Sequence, residues 1–313
     1  MIVALAGGVG GAKLADGLYR TLPPRQLSVV VNTADDFDLF GLRVCPDADT
    51  VMYTLSGLAN PTTGWGVVDD TFETLRMLGR YGRDVWFQIG DRDFATHVAR
   101  TERLRAGASL TSITSELVSA LGITARILPM SDEPVATGVM TSAGPLDFQE
   151  YFVHRHQADT VTGVSFRGVD RARPTAAVVD ALETATAIIF CPSNPIVSVG
   201  PILAVPGLRE RVARHLAPRV AVSPIVGGRA LRGPADRMLE SLGHEVSAYG
   251  VAELYRGLID GMVIDEVDAA LAPRIEALGM RVLVAPTVML TIEDRASLAR
   301  RVVEFGERIG RGH

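Results

Sequence analysis

Ile2-Val3-Ala4-Leu5-Ala6-Gly7-Gly8-Val9-Gly10-Gly11-Ala12-Lys13-Leu14, followed by Leu27-Ser28-Val29-Val30-Val31, decides the fold. Ile2–Ala6 is a short continuous apolar run, the pattern of a strand buried on both faces in a parallel sheet. Leu14, Ala15, Leu18 and Leu22 recur at helical spacing, so the reading is a helix over Lys13–Leu22 that Pro23-Pro24 stops. Leu27–Val31 is a second buried run. The opening segment is therefore βαβ, with a glycine loop at the carboxyl end of its first strand, where open α/β sheets bind ligands.

Lys13 is the single lysine in a chain of 31 Lys and Arg residues. A compact ammonium is not interchangeable with a planar guanidinium. Beside glycines, whose bare amides let an anion approach closely, it suits a phosphate. The plain alternative is a lone lysine on a solvated helix turn. The loop departs from both common nucleotide motifs. A P-loop needs Gly at 12 and Ser or Thr at 14, where the chain has Ala12 and Leu14. A dinucleotide fingerprint starting at Gly8 needs Gly at 13, and an acid is expected where Asn32 stands.

The bulk numbers narrow the class. The chain has 313 residues, 47% hydrophobic content and a net charge of −5. That size allows one large α/β domain or one domain with a sizeable insertion. The acidic balance disfavours nucleic acid as a partner. No apolar run approaches the ~20 residues of a membrane span, and nothing resembles a signal peptide. Cys45 and Cys191 are isolated thiols, so a cytoplasmic, reduced protein is expected.

Further along, Val85–Ile89, Ala125–Leu128, Val135–Met140, Asp147–Val153 and Thr162–Phe166 read as strands, with helices over Asp93–Leu104 and Leu110–Leu121. Residues 64–168 are thus expected to form an inserted α+β lobe. Residues 1–63 and 169–313 are expected to form a Rossmann-like core, a mostly parallel sheet with helices on both faces. In the second half, Ala187–Cys191, Val220–Val222, Val246–Tyr249, Met262–Ile264 and Val282–Val284 read as strands, and Arg295–Arg308 as an amphipathic helix.

Several strand ends carry residues suited to a site. Asp35, Asp36, Asp38, Asp47 and Asp49 form an acidic cluster near the glycine loop. It is either solvated loop or a source of hard oxygen ligands for Mg²⁺, and Asp49 or Thr50 could simply cap the helix expected over Thr50–Leu58. Gly90-Asp91-Arg92-Asp93 is a helix cap with a surface pair, or a site wall. Ser193-Asn194 and Ser223–Gly228 are turn-forming loops in themselves. Their convergence on one sheet edge points to a nucleotide or diphosphate cleft.

Seven blocks in order, Ala6–Leu14, Val31–Asp36, Asp47–Val51, Gly90–Asp93, Leu128–Asp132, Ser193–Ile196 and Ala221–Ile225, make the chain resemble the CofD family, called FbiA in actinobacteria. The resemblance runs from residue 1 to about residue 255. It implies a Mg²⁺-dependent transferase of coenzyme F-420 biosynthesis. Such enzymes pass a phosphoenolpyruvyl or 2-phospho-L-lactyl group from a guanosine-diphosphate-activated donor to the terminal ribityl hydroxyl of the deazaflavin Fo, and GMP leaves. On this resemblance Asp49 and Lys13 are the catalytic residues, and Asp49, Gln88, Asp91 and Arg92 meet Fo. Gly8, Gly10, Gly11, Lys13, Ser193, Asn194, Ser223 and Gly227 hold the nucleotide and its phosphates. Asp35, Asp36 and Asp49 are the metal ligands. Gln88 departs from the basic residue of archaeal members. Trp65, Trp86 and Phe87 are either deazaflavin platform or ordinary core. The expected partners are small-molecule substrates and a second copy in a homodimer. A related family implies the rival reading, a non-catalytic nucleotide-sugar-binding regulator.

Overall fold

Seven strands lie side by side in the order β14-β13-β10-β9-β1-β2-β5, and every neighbouring pair is parallel. The computed structural model describes residues 1–311. The first half of the chain runs β1 (Ile2–Ala6), α1 (Gly8–Thr21), β2 (Leu27–Val31), a β3–β4 hairpin (Phe37–Leu39, Leu42–Val44), α2 (Pro46–Ser56), α3 (Glu73–Arg80), α4 (Asp91–Arg105), α5 (Leu110–Ala120) and β5 (Arg126–Pro129). A three-stranded antiparallel sheet follows: β6 (Ala136–Thr141), β7 (Gly144–Asp147), a π turn at Glu150–His154, and β8 (Val161–Arg167). Then come α6 (Ala176–Glu183), β9 (Ala187–Phe190), α7 (Val199–Ala204), α8 (Leu208–Ala213), β10 (Arg219–Val222), a short hairpin β11–β12 (Ile225–Val226, Arg229–Ala230), α9 (Ala235–Ser241) and α10 (Ala248–Leu254). The chain closes with β13 (Gly261–Ile264), a 3-10 turn at Glu266–Leu271, α11 (Ala272–Glu276), β14 (Arg281–Val284) and α12 (Ile292–Gly310).

The period-two alternation of β1 explains the layers. Ile2, Ala4 and Ala6 join Leu14, Leu18, Val51 and Leu298 on one face, under α1, α2 and α12. Val3 and Leu5 join Val178, Ile202, Leu208 and Val251 on the other, under α6, α7, α8 and α10. Both faces are covered, which is why the strands read as continuous apolar runs. Leu14 and Leu18 are fully buried. Truncating either to Ala costs about 2–5 kcal/mol.

Strand order reverses between β1 and β9. From β1 the chain builds outward to β2 and β5, then returns to β9 on the other side and continues to β14. The crevice outside the carboxyl ends of β1 and β9 is the topological switch point.

The fold departs from expectation in four places. Ala125–Leu128 reads as lobe, yet β5 is an edge strand of the central sheet, paired with β2. Val85–Ile89 forms no strand; its apolar bulk goes into a ring cluster in which Phe87 meets Phe37 at 4.9 Å and Trp86 at 5.6 Å. Asp147–Val153 leaves its sheet at Asp147 and coils, which stacks Phe148 on Phe152 at 5.5 Å. Around Val246–Tyr249 the chain turns into α10, because Ser247 accepts the Gly250 N–H and starts a helix. Among the described residues no helix is long and apolar enough to cross a membrane.

Candidate active site

Helix α1 begins five residues earlier than its apolar spacing suggests, so the glycines form its first turn. Gly8 has φ 63°, a conformation that favours glycine. The other glycines serve contact. A Cβ on Gly10 would stand 2.3 Å from the Pro192 carbonyl oxygen, and one on Gly11 would stand 2.5 Å from Ser193 Oγ. These bare positions let α1 press against the loop after β9. Ser193 Oγ accepts the Gly7 N–H at 3.1 Å and donates to the Gly7 carbonyl at 2.8 Å, tying the two strand ends together.

The N-cap residue of α1 is Gly7, which has no side chain to offer. The Gly8 N–H donates to Asp47 Oδ1 at 2.7 Å. Helix geometry leaves the N–H groups of Val9 and Gly10 without intrahelical acceptors, and both residues line a cavity of about 970 Å³. Lys13 lines it too, one turn along. Its Nζ donates to the Met289 carbonyl at 2.8 Å. Burial, then the nearby Arg295 and Arg232 charges, lower its pKa. A cation so placed gains from any anion that arrives.

At the neighbouring strand ends lie Asn32 and two buried carboxylates. Asn32 Nδ2 donates to Asp35 Oδ2 at 3.0 Å and to Asp47 Oδ2 at 2.9 Å. Asp35 and Asp47 line the cavity. Burial raises the pKa of both, and Asp47's charge raises Asp35's further. Asp35 Oδ1 is buried without a hydrogen-bond partner. Two close carboxylates and an orphaned oxygen make a set that fits a small divalent cation. Asp36 lies off the cavity wall; burial pushes its carboxyl up to about 8, so at neutral pH it is mostly protonated.

Asp49 is not a helix cap. Helix α2 starts at Pro46, which puts Asp49 on the fourth helical position, with its N–H on the Cys45 carbonyl. Its carboxylate is gripped by the buried Arg100: Nη2 reaches Oδ1, and Nη1 reaches Oδ2 at 3.1 Å. His97 Nδ1 lies 3.7 Å from Asp49 Oδ2, and His97 Nε2 lies 3.3 Å from Asp93 Oδ1. Tyr53 Oη bonds Asp93 Oδ1 and Thr96 Oγ1, both at 2.7 Å. Asp49, Tyr53, Asp93 and His97 all line the cavity. Asp49, Asp93 and His97 can each bring one ligand atom within 4.8 Å of the others. A guanidinium already neutralises Asp49, so Asp35 with Asp47 is the better cation site.

Gln88, Ser193, Asn194 and Ser223 line the same cavity, while Gly11, Gly227, Asp36, Asp91 and Arg92 do not. Gly227 donates to the Asp268 carboxylate instead. Asp91 and Asp70 cap each other's helices. Asp91 accepts the N–H groups of Glu73 and Thr74 at the start of α3, and Asp70 accepts those of Arg92 and Asp93 at the start of α4. The hydrogen bond from Thr71, foremost, lowers the Asp91 pKa. Ser223 spends its hydroxyl on the Ile225 backbone. Asn194 Oδ1 accepts from Ile196 and Val197, leaving its Nδ2 only a weak contact to Met238 sulfur at 3.5 Å. Trp65, Phe87, Phe148 and Phe152 give the cavity apolar wall; Trp86 does not reach it. Sequence reasoning missed Arg100, Tyr53, Phe148, Phe152 and Arg232. Arg100 and Arg232 lie far along the chain from the motifs they serve, and Tyr53 lies one helical turn after Asp49.

Comparison with known proteins identifies the family. The family model described as "2-phospho-L-lactate transferase CofD" matches residues 2–285. The chain is 43% identical to a phosphoenolpyruvate transferase of Streptomyces griseus over 98% of its own length and 99% of the relative's. It is also 43% identical to a 2-phospho-L-lactate transferase of Methanosarcina acetivorans, over 96% and 98% of the two chains. A crystal structure of a UPF0052 family member from Bacillus halodurans shares the fold, with a TM-score of 0.68 at 15% identity over 96% of this chain and 98% of that one. This chain therefore belongs to the CofD family, and it is a transferase of the phosphoenolpyruvate and 2-phospho-L-lactate type.

Proposed function

We propose that the chain moves a phosphoenolpyruvyl or 2-phospho-L-lactyl group from a guanosine-diphosphate-activated donor to the ribityl hydroxyl of Fo, releasing GMP. The observation that carries this reading is the continuity of one cavity. It runs from the Val9 and Gly10 amides at the start of α1 and Lys13 to the Asp49, Tyr53 and His97 wall and the rings of Phe87, Phe148 and Phe152. An anionic diphosphate suits the first end, and a hydroxylated chain on a flat ring suits the second.

Phosphoryl transfer asks a protein chiefly for alignment and charge stabilisation. The Val9 and Gly10 amides with Lys13 would hold the donor's phosphate oxygens. Asn194 Nδ2 is free to donate to the nucleotide. Asp49, fixed in rotamer by Arg100, would accept the hydrogen bond of the Fo hydroxyl and aim its oxygen at the phosphorus bearing the three-carbon acid. Its part is orientation first. The new P–O bond forms to the ribityl oxygen as its proton passes along the hydrogen bond to the Asp49 carboxylate, the anhydride P–O bond breaks, and GMP departs with the bridging oxygen. Asp35 and Asp47 are the residues that would hold Mg²⁺, whose positive charge offsets that of the phosphates.

Incubation with Fo, the activated donor and Mg²⁺ tests the reading. One GMP is expected per Fo consumed, and offering enolpyruvyl and lactyl donors in parallel assigns the acid. Absence of GMP release with both donors, together with stabilisation by a UDP-sugar, would favour the regulator reading instead.

A further inference from the structure

The rim of the cavity holds a second cation that no carboxylate engages among the described residues. Arg232 follows the β11–β12 hairpin and lines the cavity with its neighbours Leu231 and Gly233. Its Nη2 donates to the Thr62 carbonyl at 3.1 Å, and its Nη1 donates to the Thr63 carbonyl. These acceptors are neutral. Arg232 is also close enough to Lys13 for its charge to depress the lysine's pKa, so both cations share one field.

The segment that Arg232 grips is a compact loop. The Asn60 N–H donates to the Gly66 carbonyl at 3.0 Å, the Gly64 N–H donates to the Asn60 carbonyl at 2.8 Å, and Thr63 Oγ1 donates to the Trp65 carbonyl at 2.6 Å. Gly64 has φ 79°, and a Cβ there would stand 2.8 Å from Val9 Cγ1 and 3.4 Å from Arg232 Nη1. The loop thus lies over the first turn of α1 and carries Trp65, 43% exposed, onto the cavity wall. A guanidinium has five N–H donors. Two hold the loop carbonyls, and the others are free to meet phosphate oxygens.

Resting on the donor reading above, we propose that Arg232 is a second phosphate-binding cation of the donor site and that, through Thr62 and Thr63, it couples donor binding to the rim loop bearing Trp65. Lys13 meets the diphosphate from the helix side and Arg232 from the rim. A bound diphosphate draws Arg232 inward, and the 60–66 loop follows it across the first turn of α1. Fo then meets a wall whose Trp65 is already set, so the two substrates bind with positive cooperativity.

Calorimetric titration with GDP and, separately, inorganic pyrophosphate tests the first half, using wild type, Arg232→Gln and Arg232→Lys. Arg232→Gln is expected to weaken both probes by at least about tenfold, the scale of a lost charge-assisted hydrogen bond, with Arg232→Lys in between. The second half is read from Trp65 fluorescence in a Trp86→Phe background. GDP should shift the emission when Arg232 is present and leave it unmoved in Arg232→Gln. Since Arg232 is exposed, its variants are expected to melt with the parent. A wild type that binds neither probe overturns the donor reading and this role with it. A wild type that binds while Arg232→Gln binds equally, with the same Trp65 shift, overturns the role of Arg232 alone.

Discussion

Arg100→Met should be far more damaging than any other single change of an arginine to an uncharged residue in this chain. Arg100 is 2% exposed and its partner Asp49 is 5% exposed. The pair makes two hydrogen bonds, and Arg100 Nη1 also reaches the Arg43 carbonyl at 3.3 Å and His97 Nδ1 at 3.3 Å. Removing the cation strands a buried carboxylate without its counter-charge. Breaking a buried pair from one side costs about 3–5 kcal/mol. At roughly 2 °C per kcal/mol for a chain of this size, the melting temperature should fall by roughly 6–10 °C. Arg100→Met/Asp49→Asn removes the stranded charge and should regain at least about 2 kcal/mol of that loss, the signature of a coupled pair. Urea unfolding of wild type, both singles and the double variant supplies the cycle. The regained fold should not regain turnover, because in the proposed mechanism Asp49 orients the acceptor. A loss below about 1 kcal/mol for Arg100→Met, or strictly additive singles, would refute the clamp.

Asp49→Asn alone is expected to slow turnover by at least about 10²-fold with donor binding little changed, measured as GMP release at saturating donor. Lys13→Gln should weaken GDP binding by at least about tenfold, read by calorimetry. Gly10→Ala drives a Cβ into the Pro192 carbonyl and should lower both melting temperature and donor affinity. Burial pushes the Asp36 carboxyl up to about 8, against about 4 for an unfolded aspartate. Its raised value contributes stability that is full below about pH 4 and is lost as pH rises toward 8; a melting series in which Asp36→Asn flattens that decline is the check. Mg²⁺ should raise the melting temperature more at pH 8 than at pH 6, because its ligands must shed protons, and Asp35→Asn should abolish the effect.

The core of the fold was open to reading because β1, β2, β9, β10 and β13 are buried on both faces, and such strands leave uninterrupted apolar runs. What a run cannot say is which sheet takes it. Arg126–Pro129 has the same pattern whether it closes a lobe or, as here, hydrogen-bonds along β2. Val85–Ile89 looks like a strand because rings and β-branched residues mark strands, but rings also satisfy one another without a ladder. Of the residues named from the sequence, Gly8, Gly10, Lys13, Asp35, Asp49, Gln88 and Asn194 all line one cavity. Physical chemistry splits the remaining residues by role. Gly11 and Ser193 hold the switch point together, and Asp91 caps a helix. Arg100 and Arg232 were illegible because one arginine among thirty has no local signal; only the fold shows that one is buried on Asp49 and the other spans the rim.

The most direct test of the account is a crystal structure with GDP, Mg²⁺ and Fo bound. The account places the diphosphate against the Val9 and Gly10 amides within reach of Lys13, Mg²⁺ on Asp35 and Asp47, and the Fo hydroxyl on Asp49. A nucleotide seated away from the start of α1, or an Fo ring at the Lys13 end, would contradict it.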